Sequence, residues 1–417
     1  MAYTGLAVVI PTRNRAAIAM NAIRSVLDQP VEVGLLVSDN STSQTDREAL
    51  SNFCAPYLSD RFRYLQPPQS LAMPAHWDWA IQNALDLYPE TSHFVYLTDR
   101  MMFRKGALVE LTRLATLYPH KVISYNHDRI VDNAIPIRVE QYPASEKLLE
   151  VQTLQLSRLV SQPIFHPALP RMLNCIVPRP VLRRIHDRFG NVFSSISPDM
   201  NFCCRCVELE NSILFYDKAP IFHYALNRSN GASATRAEMT ADYADFTANL
   251  PVHNSMPNFA TPIPQLKTVV NYALHEYCLF KQQTNSDKFF DLDMQKYLEA
   301  NANELNEVAD PELKAEMRAL LIANGYREAT TNGQPTATRI GFARRLRSKI
   351  KRLLTAPATT PAWLFLARTL AIRPPGENSF EFAGLEEAID YARNISRGNL
   401  SRRRSSKEFL QARELPK

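Results

Sequence analysis

The sequence predicts an α/β protein in which a mainly parallel sheet is flanked by helices, with a helical C-terminal extension. Apolar runs of strand length alternate with amphipathic segments of helix length through the first 125 residues, which is typical of parallel sheets covered by helices. The strands are continuous apolar runs, as expected of strands buried on both faces. A chain of 417 residues, 45% of them hydrophobic, is long enough for this core and for a second unit.

The first elements set the start of the sheet. Residues 6–10 (LAVVI) form a continuous apolar run, and the next such run, residues 33–39 (VGLLVSD), ends in a carboxylate. Between them, residues 16–27 place their apolar side chains on one helical stripe. The remaining predicted elements are a helix at 45–54 capped by Ser43 or Thr45, a strand at 61–65, a helix at 74–88 that begins at a proline, a strand at 93–97, a helix at 106–118 and a strand at 121–125.

After residue 126 the alternation breaks, and the sequence indicates four parts. Short strand-like pieces and prolines extend to about residue 235, and helix-forming sequence continues to about residue 322. A polar segment then precedes a strongly basic one. The predicted parts are a first domain at 1–235, a helical extension at 236–325, a linker at 326–338 and a basic tail at 339–417.

Cysteine usage predicts a cytoplasmic protein. Three of the six cysteines crowd together at Cys203, Cys204 and Cys206, which would be hazardous where disulfides form. The first residues lack the basic start and long apolar run of a signal peptide. The sequence also lacks an apolar run of 18 residues, so no membrane-spanning helix is predicted. Zinc binding by these cysteines is disfavoured because they do not form a CxxC pair and no second pair exists.

Polar residues follow three of the predicted strands. PTRNR (11–15) follows the first strand, SDNST (38–42) the second and TDRM (98–101) the fourth. Because ligands of open parallel sheets bind at the carboxyl ends of the strands, we expect these segments to converge at one crevice. No GxGxxG or GxxxxGK motif follows the first strand, which disfavours dinucleotide binding and P-loop chemistry.

The order and spacing of these segments resemble the opening of the family 2 glycosyltransferases with the GT-A fold. VVIPTRNR and VSDNST resemble the first two strand ends of that family, and LTDRM stands where the family has its DxD motif. Farther on, LNCIVPRPVL (173–182) resembles the segment that leads toward the acceptor, and SPDMNF (197–202) resembles the segment with the catalytic carboxylate. The resemblance covers roughly residues 5–235 and implies a nucleotide-binding sheet of the GT-A type.

The resemblance also implies a nucleotide site at the first two strand ends. Pro11, Thr12 and Arg13 would line the base pocket. Asp39 would accept a hydrogen bond from uracil or a similar base. The alternative for Asp39 is that it only caps the following turn, as aspartate often does.

Asp99 and Arg100, in the variant motif TDRM, would both lie near the diphosphate of the bound nucleotide. The motif leaves open which group neutralises the charge of the leaving diphosphate. Asp99 matches the first aspartate of DxD, and the resemblance implies that it holds Mg²⁺ or Mn²⁺ with phosphate oxygens, water and His223. Arg100 and a methionine fill the later acidic positions, and methionine is a poor ligand for these cations. In a metal-independent alternative, Arg100 supplies the positive charge together with Arg13 or Arg236. A third reading is that Asp99 and Arg100 only pair with other groups.

Asp199 is the predicted catalytic base. In an inverting transfer, a carboxylate removes the proton of the acceptor hydroxyl while the sugar passes through an oxocarbenium-like state. Asp199 follows Pro198 at the start of a helix-like segment, so an ordinary helix N-cap is the alternative. Two interpretations remain for His223, which is either a metal ligand or a histidine of the core. The loop at 227–236 either closes over the diphosphate or is an ordinary surface loop.

The basic tail carries one amphipathic segment. Residues 339–354 place apolar side chains at helical spacing with Arg and Lys on the other face, which is typical of a helix on an anionic membrane surface. A helix packed on the protein's own core fits the same pattern. Nucleic-acid binding is less favoured, since the basic stretch has one aromatic residue, Phe342, and no recognised binding motif.

These features and the resemblance predict an enzyme of the hexosyltransferase type. It would transfer a sugar from a nucleotide-diphosphate donor, a UDP-sugar, to a hydroxyl of a glycan or glycolipid acceptor. Such an enzyme would be cytoplasmic, peripheral on the inner face of the membrane, and suited to polysaccharide biosynthesis. The alternative is a non-catalytic module that binds a nucleotide sugar or an assembly partner. A nucleotidyltransferase is less favoured because its glycine-rich first loop is missing.

Overall fold

The computed structural model describes residues 5–133, 135–142, 144–225, 259–308, 310–327, 379–394 and 410–415. In these ranges the chain forms a mixed sheet of 12 strands with helices packed on both of its faces. The predicted α/β class, with a central and mostly parallel sheet between helices, is confirmed.

The elements follow one another in the order that the alternation predicts. The strands are β1 (Leu6–Thr12), β2 (Gly34–Asp39), β3 (Phe62–Leu65), β4 (His93–Tyr96), β5 (Met101–Phe103), β6 (Ile123–Val131), β7 (Ile137–Glu140), β8 (Leu148–Gln152), β9 (Cys175–Pro178), β10 (Ser212–His223), β11 (Ser379–Phe382) and β12 (Arg413–Leu415). The helices are α1 (Ala16–Leu27), α2 (Gln44–Cys54), α3 (Met73–Leu87), α4 (Ala107–Leu117), α5 (Thr153–Ser161), α6 (Arg179–Phe189), α7 (Pro198–Leu209), α8 (Val269–Thr284), α9 (Met294–Glu304), α10 (Pro311–Ala323) and α11 (Leu385–Asn394).

The strand order of the sheet is β12–β8–β10–β6–β9–β4–β1–β2–β3. The pairs β3–β2, β2–β1, β1–β4 and β6–β10 are parallel. β9 lies antiparallel between β4 and β6, so β4 and β6 run in the same direction. The carboxyl ends of β1, β2, β3, β4, β6 and β10 therefore lie at one edge of the sheet.

β1 separates two layers of the hydrophobic core. Leu6, Val8 and Ile10 pack with buried residues of α1, α2 and α4. Ala7 and Val9 pack with buried residues of α3, α6 and α7. Both faces of the strand are covered, which explains why its apolar run is continuous rather than alternating.

Local sequence signals agree closely with the element ends. α1 has the predicted bounds, and Ser43 is the N-cap of α2, where its hydroxyl accepts the N–H of Asp46. α3 has its proline in the first turn, where a missing N–H costs nothing. β6 continues to Val131, beyond the point where the alternation breaks.

The C-terminal parts bear on the predicted division of the chain. α8, α9 and α10 lie in the predicted helical extension, and α8 packs on α7. Two described pieces of the predicted tail pair with the sheet, since β11 joins β7 and β12 joins β8. The basic segment at 339–354 lies outside the described residues, so membrane docking stays a prediction. None of the helices in the described ranges is long and apolar enough to cross a membrane.

Candidate functional site

The ends of β1, β2 and β4 meet at one edge of the sheet. Thr12 is the register partner of Asp39, and its carbonyl accepts the N–H of Asn40 at 3.0 Å. Its hydroxyl donates to Oδ2 of Asp99 at 3.0 Å. One buried threonine thus joins the three polar segments that the sequence places after these strands.

The loop after β1 is held by Asn14, which has a left-handed backbone with φ of 53°. Asparagine tolerates this conformation better than most residues do. Its side-chain oxygen accepts the N–H groups of Thr42 at 2.8 Å and Ser43 at 2.9 Å. These bonds fasten the loop after β1 to the loop after β2 and fix the backbone from which Arg13 and Arg15 extend.

Asp39 is buried, and protein groups reach both of its carboxylate oxygens. Oδ1 accepts the N–H of Ser41 at 2.9 Å, and Oδ2 accepts the hydroxyl of Tyr64 at 2.7 Å. The bond to Ser41 is the turn cap that was the alternative for this residue. Burial, the hydrogen bond to Asp39 and its charge all raise the pKa of Tyr64, so the phenol remains a donor. A carboxylate has about four acceptor positions, so this arrangement is compatible with a further donor from a ligand.

The segment before α3 closes one side of the strand ends. Nη1 of Arg13 and Nδ2 of Asn40 donate to the carbonyl of Leu71 at 2.9 Å and 2.7 Å. The N–H of Leu71 donates back to Oδ1 of Asn40 at 3.0 Å. Pro11, another predicted pocket residue, is buried within β1 opposite Ser38. Pro11, Thr12 and Arg13 therefore lie along the rim formed by β1, β2 and this segment.

Asp99 lies within a mixed set of charges. Its Oδ1 is 3.7 Å from Nη1 of Arg15, and both side chains are largely buried. Burial lowers the pKa of Arg100, and the charge of Arg15 lowers it further, whereas the carboxylates of Asp99 and Asp132 raise it. An arginine stays protonated at neutral pH even under such influences. Arg15 was not predicted as a site residue, although it stands in the PTRNR segment.

His223 ends β10, opposite Met101 of β5. Its imidazole stacks on that of His127, with 4.3 Å between ring centroids and 25° between planes. Burial lowers the pKa of His223 far below its usual value, and the charges of His127, Arg100 and Arg171 act in the same direction. Nε2 of His223 and Nδ1 of His127 are buried without a hydrogen-bond partner in the described part of the chain.

Arg171 links the two halves of the site. Its positive charge lowers the pKa values of His127, His223 and Asp199. Asn174 fixes its backbone: Oδ1 accepts the N–H of Arg171 at 3.0 Å, while Nδ2 donates to the carbonyls at 167 and 169 at 2.7 Å and 3.1 Å. Nothing in the local pattern distinguished Arg171, because an arginine ahead of a strand is common on a surface.

Asp199 lies in the first turn of α7. The N-cap of this helix is Ser197, so the alternative that Asp199 itself is the N-cap does not hold. Burial raises the pKa of Asp199, and the charge of Arg171 and a bond from the N–H of Met200 act against that increase. A carboxylate with a raised pKa is a better proton acceptor near neutral pH than an ordinary one.

A second carboxyl, Glu276 of α8, lies beside this turn. Oε1 accepts the N–H of Ser197 at 2.9 Å, and Oε2 accepts Nδ2 of Asn201 at 3.3 Å. Burial raises the pKa of Glu276 to about 8, and the charge of Asp199 contributes to the increase. The sequence offered no signal for Glu276, which stands among several polar residues of the same helix, such as Asn271 and His275.

The residues around Asp99 fit a divalent cation poorly. One carboxylate oxygen already accepts a hydroxyl and the other faces Arg15, while Mg²⁺ and Mn²⁺ require several oxygen ligands. His223, the other predicted ligand, lies under the positive influence of Arg100 and Arg171. Among the described residues, no group of three or more His, Cys, Asp or Glu is arranged to hold a metal ion. Metal binding by Asp99 and His223 stays a prediction.

The loop at 227–236, with Arg236, lies outside the described residues, so its predicted closure over a diphosphate is not tested. Besides the strand-end residues and Asp199, the candidate site includes Arg100, His223 and Arg171. The charges of both arginines lower the pKa of His223, and the charge of Arg171 also lowers the pKa of Asp199. The sequence named most of these residues, and it missed Arg15, Arg171, His127 and Glu276.

No family model and no curated protein matches the chain. Among solved structures, residues 1–349 of TarS from S. aureus with UDP-GlcNAc show 15% identity and a TM-score of 0.41, over 76% of this chain and 88% of that one. The mannosyltransferase PcManGT from Pyrobaculum calidifontis with GDP-Man and Mn²⁺ shows 11% identity and a TM-score of 0.39, over 88% of this chain and 84% of that one. Likeness at this level supports no inference about the substrates of this chain.

Proposed function

We propose that the protein is a glycosyltransferase of the GT-A type. It moves a hexose from a nucleotide-diphosphate donor, a UDP-sugar, to a hydroxyl of a glycan or glycolipid acceptor, with inversion at the anomeric carbon. The observation that carries the proposal is a buried carboxylate, Asp199, whose pKa burial raises and the charge of Arg171 lowers, in a chain that also holds Arg15 and Arg100 at Asp99 beside the strand ends. A base next to fixed positive charge is what transfer from a diphosphate leaving group needs.

The nucleotide binds at the strand-end side of the site. Asp39 accepts a donor of the base through a lone pair that Ser41 and Tyr64 leave open. Pro11, Thr12 and Arg13 form the adjoining wall, which the bonds of Arg13 and Asn40 to Leu71 hold in place. A pocket whose wall is already hydrogen-bonded loses little conformational entropy when the nucleotide binds.

The departing diphosphate is stabilised by Arg15 and Arg100, with Arg171 nearby. Guanidinium groups bind phosphate oxygens through paired hydrogen bonds. Both Arg15 and Arg100 are close to Asp99, whose carboxylate orients them before the donor arrives. This charge arrangement corresponds to the metal-independent alternative for the TDRM segment.

The reaction is a single displacement. The carboxylate of Asp199 takes the proton of the acceptor hydroxyl as that oxygen forms a bond to the anomeric carbon. The bond between the anomeric carbon and the diphosphate oxygen breaks, and its electron pair goes to the diphosphate. Asp199 is protonated at the end of the step and returns its proton to solvent.

The test is consumption of a panel of nucleotide sugars by the purified chain, with Mg²⁺, with Mn²⁺ and with EDTA. We expect turnover of one donor that persists in EDTA, because arginines stabilise the leaving group. Turnover that stops in EDTA would return that role to a metal at Asp99. Binding of a nucleotide sugar without turnover, whichever acceptor is added, would favour the non-catalytic module. The hydrogen bonds that Asp39 and Asp99 accept from Tyr64 and Thr12 are also compatible with such a module.

A further inference from the structure

Glu276 bonds to the chain on both sides of Asp199. The residue is 1% exposed, and its two oxygens accept the N–H of Ser197 and the amide of Asn201. The hydroxyl of Ser195 also hydrogen-bonds to it. The carboxyl of Glu276 in α8 thus hydrogen-bonds to Ser195 and Ser197 before Asp199 and to Asn201 after it.

Packing alone does not require a carboxyl at this place. α7 packs on α8, and Met200 and Cys203 of α7 belong to the same hydrophobic cluster as Leu274 and Tyr277 of α8. A buried carboxyl loses its hydration, and an apolar side chain would avoid that cost. An apolar side chain would, however, leave the N–H of Ser197 without its acceptor, and an unmet buried donor is costly. Glu276 therefore specifies the position of the turn rather than adding bulk to the core.

The same turn is constrained from its other side. Ser195 has a left-handed backbone with φ of 68°, a conformation that a residue with a side chain adopts at a cost. Asn201 accepts the hydroxyl of Ser194 at 3.1 Å, and Ser194 in turn accepts Nη2 of Arg205 at 2.8 Å. Residues 194–201 are thus tied to α8 and to the later part of α7. Strained and fully bonded turns of this kind are found where a side chain must be aimed.

We propose that Glu276 is a positioning residue for the proposed transfer. By holding Ser195, Ser197 and Asn201, it fixes the first turn of α7 and so orients the carboxylate of Asp199 toward the acceptor hydroxyl. The helical extension is then part of the catalytic apparatus rather than an appendage. This inference rests on the proposed function, because an orientation of Asp199 has kinetic meaning only if Asp199 acts as a base.

The test compares Glu276→Gln with Glu304→Gln. Glu304 of α9 makes the same kind of bond, accepting the N–H groups of Val269 and Val270 at the start of α8. We expect Glu276→Gln to lower kcat by about 10- to 100-fold, as small misplacements of catalytic groups do. The donor KM should change less than about twofold. Glu304→Gln should lower the melting temperature while kcat stays within about twofold of the wild-type value.

Hydrogen exchange at 194–201 supplies a readout that is independent of activity. It should be faster in Glu276→Gln than in the wild type and unchanged in Glu304→Gln. If Glu276→Gln does not fold, Asn201→Ala provides a second test, because it removes the side chain that donates to Oε2 of Glu276. This variant should also lower kcat. A wild-type kcat and unchanged exchange in Glu276→Gln, in a chain whose wild type transfers sugar, would overturn the positioning role and leave the proposed function intact. Absence of transfer by the wild-type chain would overturn both.

Discussion

The strand-end side of the site and the α7 side are built differently. On the strand-end side, Thr12 and Asp39 are the last residues of β1 and β2, and Asp99 follows β4. Sheet register brings the three together. On the α7 side, the surroundings of Asp199 come from Arg171 and Glu276, which belong to distant parts of the chain. The first side is a consequence of topology, whereas the second depends on particular long-range packing.

The charges of the two sides differ as well. The carboxylates at the strand ends accept hydrogen bonds or face a guanidinium group. Around α7, burial raises the pKa values of both Asp199 and Glu276. Perturbed carboxyls are typical of groups that exchange protons, and satisfied ones are typical of groups that bind and orient. Under the proposed function, the strand-end side binds the donor and the α7 side takes the proton.

Removing the base gives the largest expected effect. Asp199→Asn keeps the shape of the side chain but cannot take a proton, so kcat should fall by about 10²- to 10⁴-fold. Nucleotide binding, measured by calorimetry, should change less than about twofold. The control is Asp187→Asn in α6, whose side chain is 79% exposed and which should turn over normally. Equal losses of binding and turnover would show that Asp199 belongs to the binding side.

Arg171→Gln should have the next largest effect. Arg171 lowers the pKa of Asp199, so its loss should raise that pKa further. Because the base must be ionised, activity is lost as pH falls through this pKa, and the acidic limb of the kcat/KM profile should move to higher pH. Loss of a charge near the diphosphate should also lower kcat by about tenfold or more. The control is Arg183→Gln, at an exposed position of α6. An unmoved acidic limb would contradict the influence of the Arg171 charge on Asp199.

The dependence of stability on pH isolates Glu276. Burial raises its pKa from the ordinary glutamate value of 4.5 to about 8 in the folded protein. Between these values the unfolded chain loses this proton and the folded chain keeps it, so Glu276 makes stability fall as pH rises, by at most about 1.4 kcal/mol per pH unit. In urea unfolding, Glu276→Gln should remove the part of the pH dependence of the unfolding free energy that Glu276 causes. Asp199 and Arg205, whose charges interact with Glu276, make separate contributions that remain in the variant. An unchanged slope would contradict the burial of an ionisable carboxyl there.

The smallest expected effect lies on the strand-end side. Tyr64→Phe removes the hydroxyl that donates to Asp39, a bond worth about 1 kcal/mol. Nucleotide binding should weaken about fivefold, and kcat at saturating donor should not change. Tyr57→Phe, on the exposed side of the same region, serves as the control. A fall in kcat with unchanged binding would break the division between the two sides.

Much of the fold followed from the sequence because local signals agree with the tertiary structure. The apolar run of β1, the stripe of α1 and the cap at Ser43 each predict their element. The meeting of the ends of β1, β2 and β4 followed as well, since parallel strands end at a common edge. For the same reason the sequence pointed to Thr12, Asp39 and Asp99 together.

The remaining site residues had no local signal. Asn174 and the left-handed backbone at Met172, with φ of 61°, fix the main chain beside Arg171, whose charge acts on Asp199. Glu276 matters because α8 packs across α7, and the periodicity of a helix does not say which helix it meets. The described pieces of the tail pair with β7 and β8 for similar reasons, since strand pairing across such a distance leaves little trace in local sequence.

The central claim is that Asp199 removes a proton while the sugar passes directly from the diphosphate to the acceptor. The most direct measurement is the anomeric configuration of the first-formed product, read by proton NMR from a single turnover with a donor that the chain consumes. The account predicts a configuration opposite to that of the donor. A product with the configuration of the donor would contradict single displacement and the role of Asp199 as its base.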